Sequence, residues 1–134
     1  MNRLGYYNIN KEDLMAATNL NLRSSIFASM VVTAPTAGYT AGQMVKIEDT
    51  VGVIAETKAA TLDAVLIYKC EKILVPKVAG TGITFAAGDK VYYRAASAAV
   101  TNASTGNTLC GRALEAAGAS ATTVLIDLTG NLAA

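Results

Sequence analysis

From Met30 onward, apolar and polar residues fall into short β-rich runs separated by turn residues about every ten positions, the pattern of a small all-β domain. Residues 31–34 open the series, and 35–42, which hold Pro35, Gly38 and Gly42, read as a loop. Gln43, Val45 and Ile47 alternate with Met44 and Lys46 as a half-buried strand, and Glu48-Asp49 turns the chain into a run over 51–57. Segments 61–70 and 72–78, with Val65, Ile67, Ile73 and Val75, predict two strands or one long bent strand, and Pro76 marks an edge or an end. A Gly80-Thr81-Gly82 turn follows. Ala86-Ala87-Gly88-Asp89 then leads into a strand over 90–94, with 98–101 pairing behind it as a hairpin. Strands are predicted over 108–114 and 122–128. In the latter Val124, Ile126 and Leu128 share one face, and Thr123, Leu125 and Asp127 the other. The alanine-rich stretch 114–121 has helix-forming composition, but Gly118 interrupts it and it is short, so a turn with a bent strand end is expected.

The first thirty residues differ. They are rich in asparagine, carry Tyr6 and Tyr7, and contain no proline. Asn10 is placed to cap a short helix whose first turn is Lys11-Glu12-Asp13, with Ile9 and Leu14 as a hydrophobic staple across the cap. Such a helix is marginal alone and needs a surface to lie on, either its own domain or a neighbouring subunit. The expected organisation is an arm over 1–29, a β-barrel or β-sandwich domain over 30–130 and a flexible carboxyl end over 131–134. The fold class is therefore all-β, a small barrel or sandwich with an extended N-terminal arm containing a short helix.

At 134 residues the chain fits one compact domain plus that arm. Charged residues make up 16%, below the roughly 25% of an average soluble domain, and the net charge is +1. This balance supplies no general field for nucleic acid or an anionic membrane, so neither is expected as a partner. No apolar run is long enough to span a bilayer, and no signal-peptide core follows Met1-Asn2-Arg3-Leu4-Gly5, so synthesis in the cytoplasm is expected. In that compartment Cys70 and Cys110, both within apolar segments, are expected as buried free thiols.

Histidine is absent from the sequence, which removes the commonest general base, the commonest zinc ligand and every Ser-His or Cys-His pair. Adjacent acids such as Glu48-Asp49 read as solvated turn residues, and the glycines around Thr81 lack the lysine and following helix of a phosphate loop. Gly88-Asp89-Lys90-Val91 resembles the hairpin of biotinyl and lipoyl carrier domains, but the apolar and methionine flanks of that motif are missing. Tyr92 and Tyr93 beside Arg94 suggest base stacking at first sight, yet a strand shows only one of two successive side chains on each face. One ring in the core and one at the surface or an interface is expected. Lys69, Lys72 and Lys77 read as a solvated edge that blocks sheet-to-sheet aggregation. No catalytic, cofactor or metal residues are assigned, and a non-enzymatic protein is expected.

The run 86–93, then Ala98-Ala99-Val100-Thr101, then 105–117 and the ending 122–130 resemble the carboxyl half of a family of small head proteins, the capsid cement or decoration proteins of tailed bacteriophages. Thr33-Ala34-Pro35, Gly42-Gln43-Met44-Val45, Val51-Gly52-Val53-Ile54-Ala55 and Ile73-Leu74-Val75-Pro76-Lys77 extend the resemblance over about residues 30 to 130. It implies a structural virion protein on the outer surface of the head that stabilises the expanded shell. The implied partners are the major capsid protein and the chain itself, as a trimer in preference to a dimer. Two departures stand out: a longer lead of thirty residues, and Arg94-Ala95-Ala96-Ser97 where an acidic or glycine turn is common. The arm is expected to carry the capsid contact, through Arg3, Tyr6, Tyr7, Ile9, Leu14, Leu20, Leu22, Arg23, Ile26 and Phe27. The alternative is a head-displayed binding module for host-surface glycans, which exposed aromatic clusters near Tyr39 or Tyr92 would support.

Overall fold

The computed structural model describes residues 27–129. Eight strands follow one another: β1 (Phe27–Thr33), β2 (Met44–Ile47), β3 (Thr50–Ile54), β4 (Asp63–Pro76), β5 (Lys90–Arg94), β6 (Ala99–Thr101), β7 (Thr108–Ala113) and β8 (Thr123–Leu128). All strand pairings are antiparallel, in the order β2-β3-β4-β8-β7-β5-β6, with β1 also pairing β4. No helix occurs among the described residues. The helix expected after Asn10 and the tail 131–134 lie outside them.

The long strand β4 organises the sheet. In its first half, Leu66 and Ile67 pair with Met30 and Ser29 of β1 on one side and with Ile54 and Val53 of β3 on the other. In its second half, Ile73, Leu74, Val75 and Pro76 pair with Ile126, Leu125, Val124 and Thr123 of β8. Between Cys70 and Ile73 the register slips, so that Glu71 and Lys72 stand opposite Asp127 alone. This bulge bends the strand and turns both charged residues outward while Cys70 and Ile73 still point in. The run over 61–78 is thus one long bent strand, and Pro76 ends it, where its missing N–H costs no ladder bond.

From β8 the sheet continues through β7, β5 and β6 and returns to the end of β4. There Lys77 makes a parallel bridge to Val100, and the Val78 N–H donates to the Val100 carbonyl at 2.9 Å. The result is a nearly closed barrel rather than a sandwich. Its interior is filled by Val53, Val65, Ile67, Ile73, Val75, Val91, Val100, Cys110, Val124, Ile126 and Leu128 among others. The strict alternation of β8 is realised as expected, with Val124, Ile126 and Leu128 inside. A second cluster, Ala34, Tyr39, Ile54, Ala64 and Leu66, lies on the other face of the β1 to β4 half, with Met30, Val32, Val45 and Ile47 packed on its rim. Close strand contact here needs Gly52, where a Cβ would come within 2.7 Å of the Ile67 carbonyl oxygen and the Leu66 side chain.

Three details differ from the sequence reading. Strand β1 begins at Phe27, inside the segment read as arm, and β3 ends at Ile54 rather than running to residue 57. Lys77 is not part of a solvated edge: it is 3% exposed, whereas Lys69 and Lys72 are exposed. Its ammonium donates to the carbonyls of Val78 at 2.9 Å and Ala121 at 3.2 Å, with Ala119 at 3.5 Å, which makes the burial tolerable. The alanine-rich stretch is irregular, as expected, and Ala117 bridges Phe85 through reciprocal N–H to carbonyl bonds of 2.9 and 3.0 Å.

Candidate interaction surface

Among the described residues no cluster of cysteines or carboxylates is arranged to hold a metal ion. Cys70 and Cys110 are free and buried. Burial pushes the Cys110 thiol up to about 12 and also raises Cys70, whose S–H donates to the Lys72 carbonyl at 3.3 Å. Both are neutral packing groups near pH 7. Tyr93 is buried and also raised by burial, and its hydroxyl reaches the Met44 carbonyl at 3.4 Å, tying β5 to the β2 hairpin. Tyr92 is half-buried. One ring lies in the core and one near the surface, as the strand period requires.

Charge gathers where β5 meets β7. Lys90, Tyr92 and Arg94 alternate with the inward Val91 and Tyr93, so all three face outward on one strand. On β7 a register slip lets both Cys110 and Gly111 point inward, and this places Leu109 opposite Tyr92 and Arg112 opposite Lys90. Two exposed cations therefore face each other directly across the ladder, an arrangement that is unfavourable by itself. Asp127 of β8 lies on the other side of Arg112, half-buried. The nearby Asp89 is engaged locally, accepting the Ala86 N–H at 2.8 Å within the turn that Gly88 makes at φ +96°. Shallow depressions lie on both flanks of Lys90, one lined by Thr84, Asp89, Tyr92 and Asn102, the other by Leu109, Gly111, Arg112, Asp127 and Thr129. This face offers cationic heads around a Tyr92–Leu109 pair, chemistry for holding carboxylates with an apolar neighbour.

Of the residues expected to touch a capsid, Arg3, Tyr6, Tyr7, Ile9, Leu14, Leu20, Leu22, Arg23 and Ile26 lie outside the described residues. Phe27 opens β1, its backbone paired with Cys70. The approach of Arg112 to Lys90 escaped sequence reasoning because it depends on the β7 bulge, and the only available signal was the outward period of Lys90, Tyr92 and Arg94. Of the two aromatic positions that would favour glycan binding, Tyr39 is 8% exposed and packs in the second cluster.

A family model described as phage cement protein matches residues 26–128, from one residue before β1 to the last residue of β8. The chain belongs to the phage cement protein family. No curated protein matches it. The phage cement protein family is a structural, non-enzymatic one. Membership gives the chain a capsid-associated role in the virion, and the matched span coincides with the barrel and its hairpin.

Proposed function

We propose that this cement protein binds the outer surface of the head of a tailed phage, bridges neighbouring copies of the major capsid protein, and stabilises the expanded shell. The observation that carries the reading is the family match across every strand of the barrel. The physical basis is linkage: a protein that binds only the expanded lattice shifts the equilibrium toward it, and many copies on one shell add their contacts. The folded chain exposes 7038 Å², against about 800 Å² per partner in a standard interface, which leaves room for a capsid and for sister copies. In this reading the leader preceding β1 supplies apolar and tyrosine anchors to the shell, and the barrel assembles as a trimer. The chain is made in the host cytoplasm and added to the head afterwards.

The test is addition of the purified full chain to expanded heads that lack it, followed by cryo-electron microscopy and heat challenge. The expected result is external density that follows the shell symmetry and heads that survive higher temperature. Heads that remain bare, or that gain no resistance, overturn the proposal. A deletion of residues 2–25 that decorates heads as well as the full chain removes the leader from it.

A further inference from the structure

We infer that the outward face of β5 and β7, centred on Lys90, Arg94 and Arg112, docks an acidic segment of the capsid shell protein. The inference rests on the capsid-binding reading and names a surface on the barrel itself, separate from the leader. Residues 27–129 hold eight lysines and arginines and eight aspartates and glutamates, so the cluster is a segregation of charge and not a surplus. Lys90 stands opposite Arg112, and Arg94 projects from the same strand face. All three are exposed, and a surface ion pair, Glu56 with Lys58, lies elsewhere on the fold. Asp127 on the flank of Arg112 and Asp89 beside Lys90 set two carboxylates against these three cations, which leaves the face net positive.

Lys90 and Arg112 stay directly opposed with Asp89 and Asp127 beside them, and the positive charge that these two carboxylates do not balance is left for a group from outside. The Tyr92–Leu109 pair between them provides apolar contact, and the depressions beside Lys90 give side chains somewhere to sit. A nucleic acid strand needs a basic track and open rings for stacking, and here Tyr92 is half-buried. A carboxylate-bearing segment with an apolar residue beside it fits the face.

Binding of the full chain to expanded heads lacking it tests this, with K90E/R112E and R94E/R112E as reversal variants, K90Q/R112Q as the milder one, and K46E/K69E as a control at lysines outside this face. The expected result is at least tenfold weaker binding for the reversals, a smaller loss for the glutamine variant, no change for the control, and wild-type affinity that falls as salt rises. Unchanged thermal unfolding of the variants shows that the barrel is intact. Reversal variants that bind heads as tightly as the wild type overturn the inference while leaving head binding itself in place. It is overturned equally if the reversals alter only sedimentation of the free protein or only binding to a single-stranded oligonucleotide. Failure of the wild type to bind heads overturns the capsid reading, and this inference with it.

Discussion

Lys77 and Val100 lie side by side in a parallel bridge, and this pair brings the barrel nearly to closure. The Lys77 side chain secures the same seam from within, because its ammonium gathers the carbonyls of Val78 and Ala121, with Ala119 slightly farther away. A Lys77→Met substitution keeps the length of the side chain and leaves buried carbonyls without their donor. It should lower stability by about 1–3 kcal/mol, read as a shift in the urea midpoint without a change in slope.

Gly111 sits between Val91 and Leu128, where β7 is sandwiched by β5 and β8. A Cβ there would run into the carbonyl oxygen of Asp127, a backbone atom that cannot swing aside. Gly111→Ala should cost about 1–3 kcal/mol through forced strand separation. Gly118→Ala, at a site with nothing near the added carbon, should change stability by less than about 0.5 kcal/mol. Urea unfolding of the two variants side by side checks both.

Alkali should loosen the fold through its buried acids. The Cys110 thiol ionises near 9.0 when unfolded but only at about 12 in the barrel, so between those values the folded state holds a proton that the unfolded state has released. Its contribution is complete below pH 9 and is lost as pH rises toward 12, at about 1.4 kcal/mol per pH unit. Cys70 and Tyr93, both raised by burial, act in the same direction. Cys110→Ala should flatten the fall in unfolding free energy between pH 8.5 and 10.5. At pH 8 neither thiol of the native wild type should react with a disulfide reagent that labels both after unfolding.

Much of the barrel was legible because period-two patterning reports burial directly. Residues 123–128 and 90–94 show it cleanly, and their neighbours followed from glycine-marked turns. The pattern is less informative where a bulge intervenes: Glu71 and Lys72 are successive outward residues, compatible with one bent strand or with two, and only β8 standing opposite them decides for one. Lys77 departs from expectation for a different reason. Its sequence neighbours resemble an edge, and only the fold reveals carbonyls from residues 119 and 121 at its head. The cationic face was half visible: the alternation of Lys90, Tyr92 and Arg94 is local, but Arg112 joins them through a register set eighteen or more residues away. The resemblance to cement proteins includes the turns around Gly88 and Gly106, positions at φ +96° and +74° where glycine is favoured.

The fourteen residues of β4 belong to two structures at once, the β1 to β3 hairpin region and the closed barrel. A pull that enters through β1 therefore meets no hinge before it reaches β8, and it travels along hydrogen-bonded ladders lengthwise, so many bonds must yield together instead of one after another. If the proposed attachment through the leader holds, tension from the shell runs along these ladders in shear, the direction in which an antiparallel sheet is hardest to tear.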